Sequence, residues 1–428
     1  MREDILVRQK HYMSDWTDAF SHMRQTIPAV IFLYFSCLAP TISFGTIASQ
    51  ITKESIGVVE FILSNGLSGM LYSIICGQPM AFIAPTGLSL AFISGLFQFC
   101  KINCYSFLYV YTWVGLWTAA FMVVLGFGGA SKLIRYCTRF TDEIFNGLLS
   151  VNFIYQSLSS LRRNFVTADP MNLSMPFVSL GIALSTFKST MSVTTFQASQ
   201  YFNQKVRTVV KDFGPAIIII AMSLVNCLPW FQKFKVPTLG VPNNIQLAGG
   251  RNLFYPFWRL PMKIKLLCSL PAALLTGLFF MDQNISVRVV NHEDNNLKKG
   301  AAYNLDMVAL GLITAFTSIA GLPWMCGATV QSMNHVRSMT KSEYNDESGT
   351  LEVTGVIETR LTGLLTHALI LGTLWLLPLL GYLPIPVVSG IFLFLGRKLM
   401  SGNSFLVRIK DAFAERRRLP VGHPIHLL

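Results

Sequence analysis

The stretch FFMDQNIS, Phe279–Ser286, places Asp282 deep in an apolar run that begins near Ile264 and continues into VRVV. An isolated charge at the middle of a bilayer costs at least about 2.5–3.5 kcal/mol. Such a carboxylate persists only with a partner, a proton or access to water. Gln283, Asn284 and Ser286 surround it with a polar turn. Two further stretches bear on what it faces. GQPMAFIAPTGLS (77–89) and GLPWMCGATVQS (321–332) both read Gly-x-Pro, then bulky residues, then small and hydroxyl-bearing ones. Proline removes a backbone donor and biases its predecessor toward extended geometry, so neither stretch is one uninterrupted spanning helix. Exposed irregular backbone is not tolerated in hydrocarbon unless protein buries it or it lines a wet cavity. A half-helix that begins at the midplane aims free N–H groups and a positive dipole end at what binds there. Thr86, Gly87 and Ser89 follow the first break, and Thr329, Gln331 and Ser332 the second. Two such ends facing one another make a site for a small anion.

The elements that must position these residues are membrane helices. Hydrophobic residues make up 52% of the 428-residue chain, charged ones only 13%, and the mean hydropathy is +0.49. Soluble domains carry about 25% charged residues. Long uncharged runs such as IPAVIFLYFSCLAPTISFGTIASQ from Ile27 and FGPAIIIIAMSLVNCLPWF from Phe213 exceed the ~18 residues that mark a spanning segment. The reading is an all-α polytopic membrane protein with about twelve hydrophobic segments, beginning near residues 27, 57, 79, 105, 142, 174, 212, 264, 304, 327, 361 and 384. Polar breaks separate them, among them NHEDNNLKKG (291–300) and TKSEYNDESGTLEV (340–353). The net charge of +13 fits basic residues gathered in cytoplasmic loops and does not imply nucleic acid.

The polar first residues carry no signal peptide pattern, so the start is expected in the cytoplasm. The Pro-, Gly- and Asn-rich stretch from Gln232 to about Lys265 then falls outside. Asn172-Leu173-Ser174 is a weak glycosylation sequon on the outer side. The eight cysteines show no metal-ligand clustering; Cys100 and Cys104 flank a short loop and are read as small apolar residues rather than a pair. His335, in the second half-helix, is read as a packing residue, and Trp113, Trp117 and Trp324 as interface or packing residues.

Seven stretches carry a family resemblance. They are FLYFSCLAPTISFG (32–45), GQPMAFIAPTGLSLAF (77–92), FTDEIFNGLLSVNFIY (140–155), VVKDFGP (209–215), FFMDQNISVRVVNHEDNNLKKGAAYNLDM (279–307), GLPWMCGATVQSMNH (321–335) and IPVVSGIFLFLG (385–396). In order and in type they resemble the bicarbonate transporter superfamily of anion exchangers, sodium-coupled bicarbonate carriers and borate transporters. The resemblance implies two inverted seven-helix repeats, a core domain that moves against a gate domain, third and tenth segments that are half-helices, and a homodimer in the plasma membrane. It divides the chain into a cytoplasmic segment 1–26, core parts 27–128 and 264–380, gate parts 129–232 and 381–402, an extracellular loop 233–263 and a cytoplasmic or truncated tail 403–428. On that pattern the last two gate segments and the family's large N-terminal cytoplasmic domain are not in this sequence.

The resemblance also implies roles. Thr86, Gly87 and Ser89 at the first half-helix, with Ala328, Thr329, Val330 and Gln331 at the second, would bind the anion. Asp282 and Ser286, an i, i+4 pair on one helix face, would coordinate sodium, whose hardness calls for oxygen ligands, with backbone carbonyls near Ala328 completing the shell. A rival use of Asp282 is to carry a proton, giving proton-coupled transport or hydroxide exchange. Gln331 stands where well-known chloride–bicarbonate exchangers have arginine and where plant and fungal borate transporters have glutamine. Borate is therefore the alternative substrate, while FMDQ and NLKKGAAY resemble the sodium-coupled animal branch and favour bicarbonate or carbonate. No cofactor is expected beyond a co-transported sodium ion or proton.

Two other classes stand as alternatives to transport. An intramembrane aspartyl enzyme needs a second membrane carboxylate, for which Asp306 is the obvious companion, and no Ser/His pair or zinc-like His spacing is present. No enzyme is expected. A non-transporting relative is the other alternative.

Overall fold

The computed structural model of the chain describes residues 1–136, 139–168, 173–196, 201–238, 245–345 and 350–400. In chain order the first elements are α1 (Arg2–His11), α2 (Ser14–Ser21), α3 (Met23–Ile51), α4 (Val58–Ile75), β1 (Ile83–Ala84), α5 (Gly87–Ile102) and α6 (Phe107–Phe127). Then come α7 (Arg139–Thr167), α8 (Ser174–Thr195), α9 (Gln204–Cys227), α10 (Pro229–Gln232), α11 (Met262–Leu267), α12 (Ser269–Val290) and α13 (Tyr303–Ile319). The chain continues through β2 (Cys326–Gly327), α14 (Thr329–Ser338), β3 (Thr340–Asn345), β4 (Thr350–Val356), α15 (Leu361–Gly372), α16 (Leu377–Leu380) and α17 (Ile385–Met400). Each hydrophobic segment read from the sequence falls on one of these helices. Among the described residues four stretches, Met23–Ser49, Val58–Ile75, Phe107–Phe127 and Met262–Val290, are long and apolar enough to cross a membrane.

The chain forms two compact units. The first comprises residues 1–134, 196–217 and 238–383, and the second residues 135–195, 218–237 and 384–428. In the second unit α17 packs on α7 through small polar contacts: the hydroxyls of Ser150 and Ser157 donate to the carbonyls of Gly396 (2.7 Å) and Ser389 (2.8 Å). Hydroxyl-to-backbone bonds of this kind hold membrane helices where apolar burial cannot distinguish protein from lipid.

The first unit contains every residue of the candidate site. Its core gathers side chains from α4, α5, α6, α12 and α13, including Phe61, Tyr72, Ile93, Tyr111, Phe279 and Leu310, with Trp324 from the segment between α13 and β2. Trp324 stacks on Tyr111 with ring centroids 3.8 Å apart, and its Nε1 donates to Ser318 Oγ at 2.8 Å. Trp113 and Trp117 donate to the carbonyls of Phe257 (3.0 Å) and Lys265 (2.8 Å). These indoles are packing residues whose N–H groups tie helix α6 to the chain before α12.

Two polar stretches have more structure than their composition suggests. In and just beyond the stretch 340–353, read as a break, β3 and β4 pair antiparallel, with Thr340 opposite Val356 and Glu343 opposite Glu352. The alternation in TLEV was the available period-two signal. The polar start folds as α1 and α2, because Asp15 is fully buried and holds three cations. Its carboxylate lies 2.6 Å from Arg8, 3.0 Å from Arg360 and 3.1 Å from Lys299. Cys100 is buried and Cys104 exposed, and both are free thiols. Asn172 and the tail 403–428 lie outside the described residues.

Candidate functional site

Each broken segment starts with a helix that is made to stop. Helix α13 ends in Ala320, Gly321 and Leu322: Gly321 N donates to Ser318 O (3.1 Å) and Leu322 N to Thr317 O (2.8 Å). This crossed pair is the Schellman ending, and it requires a left-handed residue, supplied by Gly321 at φ +61°. Arg251 adds a cation there, donating to Gly321 O at 2.8 Å, with Glu60 3.6 Å from the guanidinium. Helix α4 ends similarly on a guanidinium. Arg360 donates to the carbonyls of Ser73 (3.0 Å), Ile74 (3.2 Å) and Cys76 (2.8 Å). Positive groups suit the negative end of a helix dipole.

After α4 the chain must satisfy buried N–H groups with no helix to take them. Asp306, in the first turn of α13, does so: its Oδ1 accepts from Gly77 N (2.8 Å), Gln78 N (3.0 Å) and the Tyr72 hydroxyl (3.0 Å). Asp306, the companion carboxylate that an intramembrane aspartyl enzyme would need, is the anchor of the first break. Tyr72 in turn accepts from Gln283 Nε2 at 2.7 Å, which ties that anchor to α12.

The two extended pieces then pair. β1 and β2 are antiparallel, with Ile83 opposite Gly327 and Ala84 opposite Cys326. The ladder is extended by Ala328 N donating to Phe82 O and Phe82 N donating to Ser332 Oγ, both at 2.8 Å. From this pair α5 and α14 depart. At 16 and 10 residues they rise about 24 and 15 Å, short of the ~30 Å hydrocarbon thickness. They are the half-helices expected of the third and tenth segments.

Helix α12 lies across both starts. Asp282 is 2% exposed; its Oδ2 accepts from the Cys326 thiol at 3.2 Å and the Thr86 hydroxyl at 3.4 Å. Its Oδ1 has no hydrogen-bond partner among the described residues. One turn later the Ser286 hydroxyl is 2.8 Å from that of Thr329. One helix face thus touches the tip of α5 through Asp282 and the tip of α14 through Ser286. The approach is close: a Cβ added at Gly327 would sit 2.8 Å from Gln283 Cα and 2.9 Å from Asp282 O.

The remaining expected site residues divide by what they already bond. Thr86 caps α5, its hydroxyl oxygen accepting from Ser89 N at 3.3 Å, and Ser89 Oγ in return accepts from Thr86 N at 3.3 Å. Ser89 therefore closes a capping box, and its role is to orient the tip. Gly87 follows as the first helical residue, where amides have no acceptor within the helix. Ala328, near which carbonyls were expected to complete a cation shell, bonds within its own helix and to the strand pair. Its carbonyl accepts from Ser332 N (2.9 Å) and Ser332 Oγ (2.8 Å), and its N–H is spent on Phe82. Thr329, Val330 and Gln331 form the first turn of α14 and are all buried. His335 is a packing residue, its ring bonded to Met80 O (3.1 Å) and to Thr362 Oγ1, edge-on to Phe82.

Cys326 was missed in the sequence. Its thiol also lies 3.3 Å from Thr86 Oγ1, so it joins the carboxylate to the first helix tip. The only sequence signal was its place within the second break. The assembled site offers two dipole-positive helix starts, a buried carboxylate and three hydroxyls within one small volume. That combination suits an anion and a cation held side by side.

A family model described as "HCO3- transporter integral membrane domain" matches residues 1–174 and 166–423. Sodium bicarbonate cotransporter 3 of Rattus norvegicus is 30% identical over 477 residues, covering 95% of this chain and 39% of that protein. The sodium-driven chloride bicarbonate exchanger of Homo sapiens is 30% identical over 482 residues, covering 95% of this chain and 42% of that protein. Band 3 anion transport protein of Homo sapiens is 30% identical over 447 residues, covering 98% and 48%. The chain thus spans less than half the length of these relatives. Among solved structures, the transmembrane domain of the cyanobacterium bicarbonate transporter BicA aligns with a TM-score of 0.62 at 16% identity, covering 92% of this chain and 93% of that one. The overall structure of SLC26A9 aligns at 0.58 and 14% identity, over 90% and 60%. At such identities the likeness is one of fold.

Proposed function

The chain belongs to the HCO3⁻ transporter integral membrane domain family, and on that premise we propose that it carries bicarbonate or carbonate across a membrane. The position of Asp282 carries this reading: a buried carboxylate bonded to the tip of one half-helix, one turn from a hydroxyl bonded to the tip of the other. Helix starts attract the anion. Asp282 and Ser286 attract a hard cation through oxygen. An anion and a cation bound together each lower the desolvation cost of the other, and that is a physical basis for coupled transport. Thr86, Gly87, Thr329, Val330 and Gln331 form the anion side, through first-turn amides and hydroxyls. Ser89 and Ala328 act on it by holding the tips in place.

We assign the first unit to the core and the second to the gate, and expect a homodimer in the plasma membrane with no enzymatic step. The names of the relatives include both sodium-coupled carriers and an anion exchanger, and sodium at Asp282 favours the former. A proton-coupled reading is kept for one reason. Among the described residues the hydrogen bonds to Asp282 come from neutral donors, Thr86 and Cys326, so its carboxyl can alternate between charged and neutral forms. Gln331 keeps borate as the alternative substrate.

The test is intracellular pH recovery after an acid load in cells expressing the full-length protein, with surface amount measured in parallel. Recovery that needs bicarbonate and sodium, and that loses its sodium dependence in Asp282→Asn, is the expected result. Recovery that persists without sodium and vanishes in Asp282→Asn selects the proton-coupled form. Absence of bicarbonate or borate flux with the protein at the surface overturns the proposal.

A further inference from the structure

Three side chains from distant parts of the chain form a triangle at the tip of α5. The Cys326 sulfur lies 3.2 Å from Asp282 Oδ2 and 3.3 Å from Thr86 Oγ1, and those two oxygens are 3.4 Å apart. Asp282 Oδ1, on the same carboxylate, has no hydrogen-bond partner among the described residues, although Asp282 is 2% exposed. A buried acceptor without a donor is costly, and such a group marks a place for an ion or a water. Cys326 is fully buried and Thr86 half-buried, so the triangle is reached at its threonine corner.

Sodium takes oxygen ligands and leaves the sulfur unused, whereas thiolate sulfur selects softer metals such as zinc. Zinc binds sulfur at about 2.3 Å and oxygen at about 2.0 Å, and tetrahedral angles between such bonds separate sulfur from oxygen by about 3.5 Å and oxygen from oxygen by about 3.3 Å. The three separations in the triangle lie within a few tenths of an ångström of these. Binding breaks the S–H bond, releases the proton to water and forms a metal–sulfur bond. A divalent ion then meets one carboxylate and one thiolate, so the buried site is neutral, as burial of charge requires. Cys76 is buried as well, but it faces the Arg360 guanidinium at 3.5 Å, which repels a metal ion.

We propose that Cys326, Asp282 and Thr86 form a site for a thiophilic divalent cation of the zinc class, with Asp282 Oδ1 or a water completing the shell, and that this cation blocks transport. The bound ion ties the tip of α5 to β2 and α12, and it occupies the carboxylate assigned to sodium. The block rests on the transport reading given above; the binding does not.

The full-length protein in nanodiscs is titrated with cadmium, a spectroscopic substitute for zinc, and the thiolate-to-cadmium charge-transfer band is followed in the ultraviolet. Zinc is expected to displace the cadmium and magnesium to leave it in place. Cys326→Ser and Cys326→Ala are each expected to lose a cadmium per chain, and Asp282→Asn to need several-fold more cadmium for the same band. Cys104→Ser, which removes an exposed thiol, is expected to keep that cadmium. A band unchanged in both Cys326 variants overturns the proposal; so does one lost in Cys104→Ser, or one displaced by magnesium. Bicarbonate flux is then measured in proteoliposomes. Cadmium is expected to inhibit the unaltered protein over the range that fills the band, and Cys326→Ser to need several-fold more. The same cadmium dependence in both overturns the block. Absence of flux before cadmium is added counts against the transport reading, while the band still decides the metal site.

Discussion

Asp282 and Thr86, 196 positions apart in the chain, meet with the threonine hydroxyl donating to the carboxylate at 3.4 Å. The same hydroxyl oxygen accepts from Ser89 N and so caps α5. One side chain joins the start of the first half-helix to the buried acid.

Thr86→Val therefore removes two bonds at constant shape. Loss of the cap is expected to cost about 1 kcal/mol of stability, read as a lower melting temperature in detergent. Bicarbonate flux per surface molecule is expected to fall more steeply, because the tip loses its tie to Asp282. Thr86→Ser keeps both bonds and should retain flux near the unaltered level. A valine variant with full flux would remove Thr86 from the site.

Ser286 and Thr329 share a hydroxyl contact at 2.8 Å between buried groups. Ser286→Ala leaves the Thr329 hydroxyl without that partner, a penalty of about 1–3 kcal/mol. Residues in direct contact are coupled by about 0.5–3 kcal/mol in a double-mutant cycle, so Ser286→Ala with Thr329→Val should be milder than the sum of the singles. The quantity to measure is the sodium concentration for half-maximal flux, alongside melting temperature. Strict additivity in both would show that the pair does not act as one unit.

Gly327 is the point at which β2 crosses α12. In Gly327→Ala the new methyl meets Gln283 Cα at 2.8 Å and Asp282 O at 2.9 Å, both of which are backbone atoms that cannot swing away. Overpacking of this kind costs about 1–3 kcal/mol. The expected result is a lower melting temperature with a marked loss of flux, since relief requires α12 to move away from the strand pair. An alanine variant that melts and transports normally would show that the two elements are more loosely packed.

Glu358, between β4 and α15, is buried, with Oε1 accepting from Lys298 N (2.7 Å) and Lys299 N (2.9 Å). Burial raises its carboxyl above the ordinary value of 4.5, opposed by those two amides and by the charges of Arg8 and Lys299. The folded protein holds this proton to higher pH than the unfolded chain. Its stabilising contribution is thus complete below 4.5 and is lost as pH rises through the folded value. Glu358→Gln removes that dependence. Melting temperatures measured upward from about pH 4.5 should fall in the unaltered protein relative to the glutamine variant. A constant difference across the series would contradict the assignment.

The features legible in the sequence were local ones. Asp282 announced itself as a charge in an apolar run, and the two Gly-x-Pro breaks as places where a spanning helix cannot continue. Gly321 in particular does what its type allows, ending α13 with a left-handed turn. The hydrophobic segments were legible for the same reason, since lipid demands long apolar runs of the chain itself.

Features that depend on residues distant in sequence were not legible. Cys326 reaches Asp282 and Thr86 only because β1 and β2 pair with Ala84 opposite Cys326. Asp306 looked like a possible acid partner; the fold aims it at the amides of Gly77 and Gln78. Asp15 lies in the polar stretch expected in the cytoplasm, and its partners Lys299 and Arg360, which with Arg8 close around it, are 284 and 345 positions away.

By itself, then, the sequence determined a membrane-spanning helical chain with two interrupted segments and a carboxylate near the middle. Composition, periodicity and proline act on the backbone within a few residues, so no tertiary contact is needed to read them. Which groups bond the acid, and which amides and carbonyls are left over for an ion, was decided only by tertiary structure. A hydrogen bond depends on position to within a few tenths of an ångström, and only the register of β1 against β2 and the packing of α12 across them set it.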